Sequence, residues 1–266
     1  MPDYVLDHHN EGERQRLALM SRLLDPMHRR HLDRLGVPPG SRVLEVGCGN
    51  GSMSAWLAGQ VAPGGHAVGV DLDLSLVAGR SRTGGSAGDE PAAEFRHADI
   101  VAGHVEPGGF DLVTCRAVLH HVGNVPAAVQ NLVASARPGA AVLVIEPDFL
   151  PVSVAEPAPV REFWQGWLAW SREQGIDYFI GRRLPLMLAQ AGLTDVGAAA
   201  ETVLYNGGSP WAEYWRQTIE ELRGPLAASG HLGQRAIGAF LGYCADPAWW
   251  TQTIAFTAVH GRKPHG

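Results

Sequence analysis

Carboxylates at the ends of short apolar runs, glycines directly after the first of them, and a histidine pair after the fourth are the residues of this chain that could do chemistry. The first run, Arg42-Val-Leu-Glu-Val46, carries Glu45 and passes into Gly47-Cys-Gly-Asn-Gly51, ahead of the helix-compatible Met53 to Val61. A short apolar run bounded by glycine reads as a buried strand. A strand entering a helix through glycines lets a ligand lie on bare backbone, since no Cβ stands in the way. Dinucleotide-binding loops place G-x-G-x-x-G here and seat a pyrophosphate on the helix N-terminus. In this chain Ser52 takes the third glycine's place, and Glu45 adds negative charge where a pyrophosphate would sit. An acid there suits a ligand with an amine and a sulfonium.

Later runs keep step with the first. Ala67-Val-Gly-Val-Asp71 ends in an acid 20 positions after Gly51. A neighbouring parallel strand delivers a carboxylate to ribose hydroxyls at that distance, after one crossover helix. Glu94-Phe-Arg-His-Ala-Asp99 is the third run, and Phe110-Asp-Leu-Val-Thr-Cys115 the fourth, leading into Arg116-Ala-Val-Leu-His-His-Val122. A turn at Arg137-Pro-Gly139 precedes the fifth, Ala141 to Ile145, which ends at Glu146. His120 and His121 therefore fall at the carboxyl edge of the sheet, where open α/β folds bind ligands. Neutral imidazole, with an ordinary pKa of about 6.5, can take a proton at physiological pH. These two are the candidate catalytic bases, with Glu146 and Asp148 next; the alternative for the pair is packing at a helix start beneath a cofactor.

The order Glu45-x-Gly47-Cys48-Gly49-x-Gly51, then Asp71, Asp99 and the Arg137-Pro-Gly139 turn, resembles the class I S-adenosylmethionine (SAM) methyltransferases. The similarity is to the broad small-molecule group that includes ubiquinone and menaquinone C-methyltransferases and antibiotic-tailoring enzymes, and it is strongest over residues 42–146. The resemblance implies an α/β fold: a Rossmann-like, doubly wound, seven-stranded sheet with an antiparallel C-terminal hairpin, N-terminal lid helices and helical cap insertions. It implies SAM as cofactor, held by Glu45, Gly47, Cys48, Gly49, Asp71, Leu72, Asp99, Ile100, Arg116 and His121. In that family the second acid meets the ribose, and the third meets the adenine amino group with Ile100 beside the ring. Tyr4 and Arg14 or Arg16 would lie over the methionine end, while Met20 stands where the family often has Gln. The implied reaction is methyl transfer to an O, N or C atom of a small-molecule acceptor, with secondary metabolism as the expected setting. The alternative is a SAM-binding protein that transfers no methyl, such as a cyclase or a binding module. No Asn/Asp-Pro-Pro-Tyr follows the fourth strand, which argues against DNA or glutamine methylation, and a reductase lacks its Tyr-x-x-x-Lys because Lys263 is the only lysine.

Composition bounds the rest. At 266 residues with 45% hydrophobic and 18% charged side chains, the chain reads as one globular domain. We divide it into lid helices over 1–40, a SAM-binding core over 41–146, and caps over 147–180 and 207–248. Glu13 to Leu35 has helical spacing interrupted at Asp25-Pro26, which reads as two helices. Trp164, Trp167, Leu168 and Ser171 share a helical face that either packs on the core or walls a substrate. Strands are expected over 195–204 and 251–260. A net charge of −6 without a basic cluster argues against nucleic acid. Cys48, Cys115 and Cys244 lack metal-ligand spacing, so no metal is expected and a reduced, cytoplasmic setting is favoured. No apolar run approaches a membrane span. Trp249-Trp250 suits either a homodimer contact or packing inside the cap.

Overall fold

The computed structural model describes residues 11–78 and 92–265. Alternation builds the sheet. In β1 (Arg42–Val46), Val43 enters one apolar cluster and Leu44 another. The same switch runs through β4 (Phe110–Arg116) at Leu112 and Val113, and through β5 (Ala136–Asp148) at Leu143 and Val144. Side chains of period two, buried on both faces, mark central strands covered by helices. β1 pairs in parallel with β2 (His66–Asp71) on one side and β4 on the other; β2 then carries β3 (Glu94–His97), and β4 carries β5. The chain reaches the far edge as β6 (Thr194–Glu201) and returns as β9 (Ala255–Arg262), antiparallel to both β5 and β6. The order is β3-β2-β1-β4-β5-β9-β6. This is the doubly wound seven-stranded sheet with an antiparallel hairpin that the sequence leads one to expect.

One face is covered by α1 (Glu11–Leu35) and α2 (Ser52–Val61), the other by α3 (Val125–Ser135) and α6 (Leu184–Gln190). The break expected at Asp25-Pro26 does not occur: α1 runs 25 residues with Pro26 inside it. Proline removes one helical N–H bond. Pro26 is exposed, however, and Leu24, Met27 and Leu32 are buried on the sheet, so packing holds the helix across the defect. At the opposite, amino edge of the sheet, Lys263 Nζ donates to the carbonyls of Val133 (2.9 Å) and Ala136 (2.7 Å), where α3 ends.

After β5 come α4 (Leu150–Ser153) and α5 (Ala158–Glu173). A second helical layer, α7 (Pro210–Ala228) and α8 (Gln234–Ala245), lies between β7 (Leu204–Asn206) and β8 (Trp250–Gln252). β7 and β8 form their own small antiparallel sheet. The strands expected over 195–204 and 251–260 are thus each divided, β6 from β7 and β8 from β9. At the division Thr253 N donates to Val203 O and Thr202 Oγ1 to Thr253 O, both at 2.9 Å, where the chain passes from main sheet to cap. Trp249 is buried against Tyr205, Phe240 and Tyr243, inside the cap, whereas Trp250 is exposed. No helix among the described residues is long and apolar enough to cross a membrane.

Candidate functional site

Strand order reverses at β1, whose neighbours β2 and β4 lead away in opposite directions, and open α/β sheets bind ligands outside the carboxyl ends of the strands at such a point. The segments leaving β1 and β4 here are Gly47–Gly51 and Ala117–His121. Gly47 N and Cys48 N donate to Val70 O at 2.8 and 3.1 Å, pinning the first loop to the end of β2. Gly49 N donates to Asp71 Oδ2 at 2.8 Å, so the acid of β2 is held by the loop itself. The glycines differ in purpose. A Cβ on Gly47 would fall 2.0 Å from Val118 Cγ2, whereas one on Gly49 (φ +49°) meets nothing within 4 Å. Gly47 lets the two loops touch, and Gly49 leaves bare backbone facing open space.

Beneath this loop lies a buried polar layer. Ser54 Oγ donates to Glu45, and burial pushes the Glu45 carboxyl up to about 7, against the pull of Ser54 and the Arg116 charge. Arg116 Nη2 donates to Asp25 of α1 at 2.8 Å, while its Nη1 is buried with no hydrogen-bond partner among the described residues. His28 Nε2 sits 2.7 Å from Thr114 Oγ1, and Ser21 Oγ donates to Asn50 Oδ1 at 3.2 Å. Asp25 and His28 escaped the sequence reading. Their signal was Ser21, Asp25 and His28 at helical spacing, a polar stripe on a helix that otherwise packs apolar residues inward.

Farther along, Asp99 Oδ1 accepts from Val101 N at 2.8 Å, Ile100 beside it is buried, and Leu72 is 52% exposed. The Cys48 thiol is buried, and that burial raises its pKa. Arg14 is exposed; Arg16 is buried instead, donating to both Glu13 oxygens (2.6 and 2.7 Å) and to Tyr214 Oη (3.2 Å) of α7. Tyr4 lies outside the described residues.

The second loop carries the histidines. Glu146, fully buried at the end of β5, accepts the N–H groups of Val118 (2.8 Å), Leu119 (2.7 Å) and His120 (3.3 Å). His120 Nδ1 lies 2.7 Å from Glu146 Oε2. The His120 ring stands 3.9 Å from His121 and 5.4 Å from Tyr178, which stacks on Phe149 at 4.0 Å. Burial first, then the His120 and Arg16 charges, hold His121 well below the usual imidazole range. Asp148 is engaged by Arg182 through two bonds of 2.7 Å, whereas Glu146 meets a histidine. Trp164 and Trp167 are buried among Phe163, Trp215 and Phe240, and the Nε1 atoms of Trp167 and Trp215 have no hydrogen-bond partner among the described residues. Leu168 and Ser171 instead line a cavity of about 220 Å³ together with Tyr178 and Phe179.

These titrating groups give a pH signature. His28 is buried and held well below the imidazole range by burial, then by the Arg116 and His31 charges. As pH falls below about 6.5, the unfolded chain protonates its histidines while the folded chain cannot protonate His28 or His121, so stability drops. Glu45 acts oppositely: between about 4.5 and 7 the folded chain keeps a proton that the unfolded chain releases. Each group has a maximal slope of about 1.4 kcal/mol per pH unit, so two histidines outweigh one carboxyl. The urea midpoint is expected to fall from pH 6.5 to pH 5; a midpoint that rises contradicts these burials.

With the geometry in place, comparison with known proteins is decisive: residues 13–197 match the family model described as a methyltransferase domain. The chain belongs to this family. Its family is that of the SAM-dependent methyltransferases, and SAM is its cofactor. Phosphoethanolamine N-methyltransferase 1 of Arabidopsis thaliana is 27% identical over 171 residues, 64% of this chain and 32% of the relative. The chain therefore spans about a third of the length of that relative. Among solved structures, phosphoethanolamine N-methyltransferase 2 of Haemonchus contortus, bound to phosphomonomethylethanolamine and S-adenosylhomocysteine, superposes with a TM-score of 0.54 at 18% identity. It covers 94% of this chain and 52% of that one. The cyclase SpnF superposes with a TM-score of 0.51 at 19% identity, over 86% and 78%. At such identities the structures speak for the fold.

The methyltransferase's own residues fit the cofactor. Arg116 Nη1, without a hydrogen-bond partner among the described residues, would be a donor for the methionine carboxylate, buried Glu45 would face its ammonium, and Gly49 would give a surface onto which the ligand could close. Asp71, held by Gly49 N at the end of β2, would be the residue to meet a ribose diol. Asp71→Ala is expected to weaken S-adenosylhomocysteine binding by about 1.5–3 kcal/mol, the range for hydrogen bonds to charged groups, read by calorimetry. An unchanged affinity would place the ribose elsewhere.

Proposed function

We propose that this protein transfers the methyl group of SAM to a hydroxyl, amine or acidic carbon of a small aromatic acceptor of secondary metabolism, with His120 as general base. One observation supports this above others: His120 stands at the carboxyl end of β4 with its Nδ1 engaged by Glu146 and, among the described residues, no protein hydrogen-bond partner at Nε2. A base within one hydrogen bond of the reacting group contributes about 10²–10⁴ in rate. SAM, when bound, supplies a methyl carbon made electrophilic by positive sulfur. The chain supplies alignment, a dry pocket and a proton acceptor. His120 Nε2 would accept the proton that the acceptor loses on methylation and release it to water.

Aromatic walls favour the acceptor class. Tyr178, whose ring stands 5.4 Å from His120, lines the cavity together with Phe179, and such side chains offer apolar area at low entropic cost. A phosphate would need cations: Arg16, Arg182 and Arg183 are each paired with a carboxylate, while Arg172 lines the cavity. The Haemonchus contortus phosphoethanolamine methyltransferase shares the fold, so phosphoethanolamine is the competing acceptor to test. The test is incubation with SAM and, separately, catechol, 2-naphthol, tryptamine and phosphoethanolamine. A methylated aromatic with an equimolar amount of S-adenosylhomocysteine is expected. Preference for phosphoethanolamine would defeat the acceptor class, and SAM bound without any demethylated product would favour a non-methylating catalyst.

A further inference from the structure

The buried acid at the end of β5 has a role that the family's cofactor loop does not assign. We propose that Glu146 is the positioning residue of the reaction, fixing His120 in the Nδ1–H tautomer so that the Nε2 lone pair faces the acceptor. The inference rests on the reading of His120 as base.

Lone-pair counting carries it. A carboxylate offers about four acceptor sites. Oε1 takes the N–H groups of Val118 and Leu119, and Oε2 takes that of His120, leaving one site facing His120 Nδ1 at 2.7 Å. With three main-chain donors already on its oxygens, Glu146 meets the imidazole as an acceptor. The ring nitrogen there must be the donor, which makes Nε2 the acceptor nitrogen of the neutral ring. The lock is also rigid. Glu146 is fully buried, Ala117 N is tied to Ile145 O at 2.9 Å, and Asp177 N donates to His120 O at 2.9 Å, fixing the histidine from both sides. Glu146 engages the ring of His120, whereas His121, one residue on, is held back from protonation by burial. One acid therefore both shapes the loop and orients the ring of His120.

Glu146→Gln separates these duties. The amide oxygen can still accept from Val118 and Leu119, but the amide nitrogen then faces His120. It can only donate there, so it forces Nδ1 to accept and moves the ring proton to Nε2, where no acceptor proton can be taken. The experiment is a ¹⁵N histidine spectrum of the wild type and Glu146→Gln, with S-adenosylhomocysteine calorimetry and methylation of 2-naphthol as companions. Expected are Nδ1–H in the wild type and Nε2–H in the variant, with cofactor affinity within about threefold and turnover down about 100-fold. A wild-type ring protonated at Nε2, or a variant turning over at the wild-type rate, overturns the proposal. Should the variant not fold, the wild-type spectrum alone decides. If wild-type protein methylates nothing, the function reading fails, and the tautomer is still read independently.

Discussion

Gly49→Val abolishes measurable S-adenosylhomocysteine binding while the chain stays folded; the expected loss exceeds about 100-fold, or about 2.8 kcal/mol. The asymmetry among the loop glycines is the reason. A side chain at 49 enters open space on the ligand side of the loop, where a Cβ meets no protein atom within 4 Å. The fold pays only for a non-glycine residue at φ +49°, about 1–3 kcal/mol, against a typical stability of about 5–15 kcal/mol. Gly47→Ala is the contrast: its methyl would collide with Val118 and displace the histidine loop. Calorimetry and thermal unfolding on the two variants check the pair. Retained affinity in Gly49→Val would remove the cofactor from this loop.

His120→Asn is expected to lower kcat by about 10²–10⁴, the contribution of a positioned general base. The Asn amide can occupy the place of Nδ1 and keep donating to Glu146, so the loop over Val118 and Leu119 has no reason to move. Only the far nitrogen is lost. The KM for 2-naphthol and the affinity for S-adenosylhomocysteine should therefore stay within about threefold, and a fall in affinity matching that in rate would make His120 a binding residue instead.

The sheet was legible because the central strands state their burial in short apolar runs, and because the acids mark where runs end. Glu45, Asp71 and Asp99 could be placed near strand ends for that reason. Other features were not legible. Pro26 looked like a helix break, since sequence shows the lost N–H but not the buried Leu24 and Met27 that outweigh it. The strands near 195–204 and 251–260 looked single, because the crossing at Thr202 and Thr253 is set by long-range hydrogen bonds between them. Glu146 read as one more terminal carboxylate; only tertiary structure brings its oxygens to three successive N–H groups 26 to 28 positions away. Arg16 rather than its exposed neighbour Arg14 faces the interior, a matter of helix phase that the lid's mixed sequence leaves undetermined.

The single lysine has a practical consequence. Its ε-amine rests on two carbonyls at the end of α3, at the sheet edge opposite the histidines and the glycine loop. Reductive alkylation with ¹³C-formaldehyde would thus install one lysine-borne magnetic reporter, silent when a ligand arrives and lost from its folded position only when the whole sheet comes apart.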